Sequence, residues 1–390
     1  MINQSTVGWA HSPFGKLPDP DVESLIDRVA GAAIADAGLT PDEIDAVFVG
    51  MFNNGFSPQD FPSSLAMQSV PELRFKPATR CENACASGSA AVMAARHHLA
   101  ATGARFALVV GAEKMTAVAG SQAGDNLLGA SYRREESDIT GGFAGVFGRI
   151  AQTYFQRYGD QSDALARIAA KNHRNGVDNP YAQLRKDLGF EFCRTVSDRN
   201  PMVAPPLRRT DCSPVSDGAA ALVLRNDDVG RDLPKAVKVL ACAHTSDLMP
   251  MSSRDMARFE AGERAWAMAY AEAGLTVDDL SFVETHDCFT IAELIEYETM
   301  GLTPPGQGWR AIAEGWTVPD GRLPVNRSGG LKAKGHPVGA TGVSMHVIAA
   351  MQLTGEAGDM QLSRADTGAV YNMGGSGVAN YVSILRNVQG

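Results

Sequence analysis

The chain has 390 residues, 44% apolar and 20% charged, enough for an ample core and, by length, two or three domains. Its net charge of -9 sets aside nucleic acid and anionic membrane surfaces as main partners, and an anionic ligand would need a local basic patch. Six irregularly spaced cysteines make no disulfide framework and fit free thiols in a reducing cytosol, so a cytoplasmic location is expected. No apolar stretch approaches the ~20 residues that span a bilayer. Met1–Leu17 lacks a basic segment followed by an apolar run, so no secretory signal is expected. The Asn387–Gly390 tail does not match a peroxisomal Ser-Lys-Leu.

Residues 1–20 are polar and rich in Pro and Gly, with a short strand near Thr6–Trp9. Val22, Leu25, Ile26, Val29, Ala32, Ala33 and Ala37 share one face of a helix predicted over Val22–Ala37, and Gly38 follows as its C-cap. Thr40-Pro41-Asp42-Glu43 starts a helical turn, Thr40 capping it and Glu43 completing a capping box. Ala46–Gly50 is a buried strand, 53–62 a loop, and Ser63–Ser69 the start of a helix. Cys81 and Cys85 precede small residues that run into a helix over Val92–Ala100, and Phe106–Gly111 is a second buried strand. From Met115 to about Asn200 the chain is rich in Gly, Arg, Asp and Tyr, with helices near Gly145–Tyr158 and Ser162–Asn175. It reads as an inserted segment. Regular alternation resumes with a strand at the tail of Asp217–Leu224, and the whole predicts an α/β protein with helices covering the sheet.

The first half then reappears. Ala35-Asp36-Ala37-Gly38-Leu39-Thr40-Pro41-Asp42-Glu43-Ile44 matches Ala271-Glu272-Ala273-Gly274-Leu275-Thr276-Val277-Asp278-Asp279-Leu280. Ala86-Ser87-Gly88 and its helix match Ala340-Thr341-Gly342 and a helix over Val343–Met351. Two matches in the same order argue for a duplicated unit. In such a pair, equivalent helix starts can face one another across a pseudo-two-fold axis. That brings Cys85 towards Gly335-His336-Pro337.

Cys85 stands near a helix start, where backbone N–H groups and the helix dipole favour a thiolate; the alternative is a packed structural thiol. Three further loops lie at strand ends or helix starts. They are His286-Asp287-Cys288-Phe289, Asn326–Gly342 and Tyr371-Asn372-Met373-Gly374-Gly375-Ser376-Gly377. Cys and His on facing helix starts supply a nucleophile and its base, and Gly-rich backbone supplies N–H donors for an oxyanion. His286 and Cys288 could begin a metal site, but no second ligand pair has suitable spacing, so none is expected. Cys81, Cys193, Cys212 and Cys242 carry no signal beyond burial.

These four loops resemble those of the thiolase superfamily, most closely the sterol-carrier-protein branch, also called lipid-transfer-protein or acetyl-CoA acetyltransferase-like. The Asn326–Gly342 loop, the His-Asp-Cys-Phe loop, Gly111–Met115 and Asp217–Ala220 carry the likeness, which covers nearly the whole chain. The resemblance implies a five-layer αβαβα fold of two duplicated halves with an inserted loop domain. The expected division is 1–115 (first part of the N-terminal half), 116–210 (loop domain), 211–232 (return strand) and 233–390 (C-terminal half).

The resemblance also implies roles. Cys85 takes the acyl group as a thioester, His336 activates it, and Cys288 is the second acid/base. His286 stands in for the usual Asn of an oxyanion hole, and backbone at Cys85 and Gly374-Gly375 supplies another. The family's usual Cys-x-Gly acid/base is replaced here by Asn372-Met373-Gly374, so Cys288 is expected to substitute. Met115, Ser328, Arg208 and Arg209 are expected to contact coenzyme A, and Lys171, His173 and Arg174 could meet its phosphates, the alternative being a solvated face. Coenzyme A enters as substrate, with no permanently bound cofactor. The implied reaction is Claisen cleavage or condensation of 3-ketoacyl-CoA. Two alternatives stay open: an aldol-type lyase on CoA thioesters, and a non-catalytic acyl-CoA-binding subunit needing a partner chain. A homodimer or dimer of dimers is expected, and a small OB-fold protein, found with some bacterial relatives, is a candidate partner.

Overall fold

The computed structural model describes residues 2–231 and 233–388; Gln389–Gly390 of the tail and position 232 of the expected return strand lie outside the described residues. The described residues form eleven strands: β1 (Gln4–His11), β2 (Ala46–Gly50), β3 (Ala78–Cys81), β4 (Phe106–Lys114), β5 (Met202–Ala204), β6 (Leu207–Arg208), β7 (Asp217–Asn226), β8 (Val237–Ser246), β9 (Phe282–Glu284), β10 (Thr367–Gly374) and β11 (Ala379–Asn387). Nine form one sheet in the order β3-β2-β4-β7-β1-β8-β11-β10-β9, while β5 and β6 form a hairpin in the inserted segment.

The sheet is two copies of one pattern. In the first half β2 runs parallel to β3 and β4, β7 is antiparallel to β4, and β1 is antiparallel to β7. In the second, β10 is parallel to β9, β11 is antiparallel to β10, and β8 is antiparallel to β11. Val325 bridges Val283 of β9 in parallel, at the place β3 holds beside β2. The halves join where β1 meets β8, at Ser5–Lys238 and Thr6–Val237. Local structure repeats too. Gly38 and Gly274 both take left-handed φ (68° and 66°), and Thr40 and Thr276 each close a capping box, with Glu43 and Asp279.

Strands β4 and β7 are buried throughout, which their near-continuous apolar sequences require. The helices Val22–Asp27, Ala30–Asp36 and Pro62–Ser69 cover the first half, and Glu260–Ala273 covers β8 and β11. Between the halves lie the two matched helices, Ser87–Thr102 and Val338–Thr354, packed on each other. The result is the expected αβαβα layering. Small residues set the closeness of that middle layer: a Cβ on Gly88 would stand 2.7 Å from Val343 N, and one on Gly342 2.3 Å from Ser89 N.

Two expectations need correction. The helix over Val22–Ala37 is two helices, broken at Arg28–Val29, where Val29 has φ -124° and ψ -28°. The second seats directly on β1, where a Cβ on Gly8 would come within 2.5 Å of Ala37, and Trp9 N–H donates to Asp36 at 2.8 Å. A break of two residues leaves the apolar face continuous, so side-chain periodicity does not register it; Ala32 is exposed and Ile34 takes the buried place. The fourth loop is also shorter than expected. Tyr371–Gly374 belongs to β10, and only 375–378 turns.

Candidate active site

Each reactive side chain comes from a different chain excursion. Cys85 precedes the Ser87–Thr102 helix, with Ala84 at a left-handed φ of 51° and Ala86 as cap. Ser87 Oγ accepts from Asn83 N–H at 2.9 Å and donates to the Ala84 carbonyl at 2.6 Å, which fixes the turn. Gly335, at φ 115°, lets the next loop pass close to Ser216, whose Oγ accepts from His336 N–H at 3.0 Å. After β9, Asp287 turns away from the site. Its carboxylate accepts from Leu331 N–H (2.6 Å), Lys332 N–H (3.2 Å) and Asn172 Nδ2 (2.7 Å). Asp287 thereby ties the His286–Cys288 loop to the loop that carries His336.

The fold brings Cys85, Cys288 and His336 onto one cavity of about 350 Å3, with Met115, Phe143 and Phe289 among its apolar walls. Phe289 stacks on Phe147 at 4.4 Å, which holds the loop after Cys288 against the helix Gly142–Tyr158 of the inserted segment. His286 lies behind, its ring edge to face with His336 at 5.1 Å. Its Nδ1 pairs with Asn372 Nδ2 at 2.8 Å, while its Nε2 is buried without a hydrogen-bond partner. His336 Nδ1 pairs with Thr341 Oγ1 at 2.7 Å. Gly375, at φ 63°, directs its N–H to the Cys85 sulfur, and Gly374 has no room for a side chain because the Asn83 carbonyl would stand 2.2 Å from its Cβ.

The electrostatics differ from a simple helix-start thiolate. Burial pushes the Cys85 thiol up to about 12, against the downward pull of the Gly375 N–H. Cys85 stands two residues before the first helical residue, outside the turn where the dipole acts strongly. Burial likewise raises Cys288 well above the usual thiol range, with the Cys85 thiolate adding to it. Burial and then Lys334 lower His336 to about 3, and burial and then His336 lower His286 well below the usual imidazole value. The resting site therefore holds neutral thiols and neutral imidazoles. A neutral imidazole can act as a base towards a neutral thiol.

A second cavity, of about 670 Å3, shares Cys212, Ser213, Pro214 and Val215 with the first. His173, Arg185, Lys186, Arg199, Arg209 and Lys332 line it. Met115 and Arg209 thus face cavities, but two expected coenzyme A contacts do not. Arg208 is buried, pairing with Asp211 at 2.8 Å and donating to the Arg194 and Ser162 carbonyls. Ser328 is fully buried, its Oγ donating to Glu284 at 2.5 Å. Both are corrected to structural roles; a residue type near a motif does not reveal which way it points. Lys171 is likewise held inside by Glu293, at 2.5 Å, and Arg174 pairs with Asp178.

Some contributions had no sequence signal of their own. Glu113, buried at the end of β4, accepts from the N–H groups of Phe52, Asn53 and Gly339, and burial raises it to about 7. It joins three segments beneath the site. Cys212 lies on the wall between both cavities. Cys85, His286 and His336 also bring three candidate ligand atoms within 4.8 Å of one another, a cluster that spacing along the sequence conceals.

Comparison with known proteins gives the family. Residues 6–228 match the family described as Thiolase, N-terminal domain, and residues 243–387 the one described as Thiolase C-terminal domain-like. An acetyl-CoA acetyltransferase of Methanothermobacter thermautotrophicus is 36% identical over 99% of this chain and 100% of its own length. Human sterol carrier protein 2 is 31% identical over 91% of this chain and 66% of its own. Among solved structures, the Ltp2-ChsH2(DUF35) aldolase superposes with a TM-score of 0.86 at 22% identity, covering 100% of this chain and 99% of that one, a likeness of fold. With both halves matched, the chain belongs to the thiolase family.

Proposed function

We propose that this protein is a thiolase-type acyltransferase that makes or cleaves 3-ketoacyl-CoA through a thioester on Cys85. The convergence of Cys85, Cys288 and His336 on one apolar cavity, with His286 behind, supports this reading. In the cleavage direction Cys85 Sγ attacks the 3-keto carbon as its proton passes to His336 Nε2. The C2–C3 bond then breaks, its electron pair forming the enolate of acetyl-CoA. Cys288 delivers a proton to C2 and acetyl-CoA leaves; a CoA thiol then gives its proton to the Cys288 thiolate and takes the acyl group, and the Cys85 sulfur leaves as it recovers the proton held by His336. The enolate oxygen needs a hydrogen-bond donor, and the unpartnered His286 nitrogen is a candidate. Coenzyme A is a substrate here, and no resident cofactor is required.

The basic second cavity suits the phosphates of coenzyme A, and its shared 212–215 wall suits the passage of the pantetheine arm to Cys85. Strand β3 is a half-exposed sheet edge, which is consistent with a homodimer or dimer of dimers. Among the described residues no helix is long and apolar enough to cross a membrane, and free thiols fit the cytoplasm.

The test is direct. Incubation with 3-ketoacyl-CoA and CoA should yield a shorter acyl-CoA, and intact mass should show an acyl adduct lost in Cys85→Ser. A well-folded protein with neither turnover nor adduct overturns the proposal. Two other readings have their own outcomes. Full activity of Cys85→Ala on a β-hydroxyacyl-CoA would establish an aldol-type lyase. Acyl-CoA binding without turnover until a partner, such as a small OB-fold protein, is added would establish a dependent subunit.

A further inference from the structure

The two histidines at the site make different hydrogen bonds through their Nδ1 atoms. Thr341 Oγ1 donates to the Pro337 carbonyl at 3.0 Å and so accepts from His336 Nδ1–H, leaving a lone pair on Nε2; the network makes this assignment. Asn372 imposes the opposite on His286. Its Nδ2 donates to the Cys85 carbonyl at 3.2 Å, and its Oδ1 accepts from Ser89 Oγ at 2.8 Å. Flipping the amide would press Oδ1 against the Cys85 carbonyl oxygen. The second Nδ2 hydrogen therefore goes to His286 Nδ1, and the imidazole proton sits on the buried, unpartnered Nε2.

That proton matters for a second chemistry. Cys85, His286 and His336 supply three nitrogen and sulfur ligand atoms within 4.8 Å, the ligand number and type of a catalytic zinc site. A metal needs a lone pair from each imidazole, and zinc-bound histidines carry their proton on the other nitrogen, held by an acceptor. Asn372 presents a donor there instead.

We propose that Asn372 is a positioning residue that locks His286 as the Nε2–H tautomer, aiming a donor at the substrate oxygen and keeping zinc off the Cys85–His286–His336 cluster. The first consequence rests on the acyltransferase reading; the second does not.

Long-range 1H–15N NMR of 15N-histidine-labelled protein, with His286→Gln to identify the signal, should show His286 protonated at Nε2. Protonation at Nδ1 overturns the proposal, and this measurement needs no variant at Asn372. Asn372→Asp, as the protonated carboxyl, can donate to the Cys85 carbonyl and accept from His286 Nδ1–H through the same oxygen, which frees Nε2. It should bind Zn2+ at least ~10-fold more tightly than the wild type, in line with outer-shell effects on metal sites. Loaded with Co2+, it should show a thiolate charge-transfer band that Cys85→Ser removes. With chelator present, its turnover should fall ~100-fold, the usual cost of one oxyanion donor. Equal metal affinity in a folded variant and in the wild type overturns the lock. If the tautomer and metal results hold but the wild type has no acyl transfer, the acyltransferase reading fails and the lock stands.

Discussion

The two halves of the sheet share strand order, a glycine-capped helix and a capping box, yet they carry different chemistry. The first half has its insertion between β4 and β7, roughly a hundred residues that roof the site, whereas β10 and β11 are joined by a short turn at 375–378. At the matched helix starts the first half presents a thiol and the second an imidazole. The second half also supplies His286 and Cys288, whereas β2, the first-half counterpart of β9, leads into the 53–62 loop. Duplication thus supplied a pair of facing helix starts, and divergence put a thiol on one and an imidazole on the other.

Three measurements sharpen that contrast. The largest effect is expected for Cys288→Ala, since removing one general acid/base costs ~10²–10⁴-fold in turnover. Acylation of Cys85 by a simple acyl-CoA should survive, because it needs no proton at C2; loss of that adduct would break the division of labour between the two halves. Next come the glycines of the middle layer. Gly342→Ala would place a Cβ 2.3 Å from Ser89 N and 2.4 Å from Asn372 Oδ1. Overpacking against backbone should cost ~3 kcal/mol or more in a urea titration. Gly88→Ala, whose tightest contact is 2.7 Å, should cost less, and the reverse order would show the halves not to be equally rigid. The smallest effect is one of pH. With the Cys85 thiol up at about 12, the thiolate fraction grows tenfold per pH unit below that value. Iodoacetamide labelling of Cys85 should therefore rise steadily from pH 7 to 10. A plateau near neutrality would restore the helix-start thiolate.

Much of this architecture was legible in the sequence because duplication leaves paired marks. Gly38 with Gly274, and Thr40–Glu43 with Thr276–Asp279, announce the same turn twice, and the match of Ala86-Ser87-Gly88 with Ala340-Thr341-Gly342 aligns Cys85 with the His336 loop. The break at Val29 was not legible, because the apolar face runs on across it and the helix's own pattern does not register it. Arg208 and Ser328 misled for a related reason. A charged or polar residue beside a ligand loop can serve a neighbouring buried acid, and only the fold shows Asp211 and Glu284 within reach. Asn372 was conspicuous as the residue that cannot shuttle a proton, but its bonds to Cys85, Ser89 and His286 join segments up to 287 residues apart.

The sheet order carries a further consequence for the newly made chain. Strand β11, the last in chain order among the described residues, lies inside the sheet between β8 and β10. The first half can pair all its strands once Asn226 has emerged, well before the second half exists. The second half must wait for residues up to Asn387, with the long edges of β8 and β10 unpaired until then. The growing polypeptide thus carries Cys85 on a finished platform and His336 on an open one, and during that interval the later half is the one exposed to misassociation.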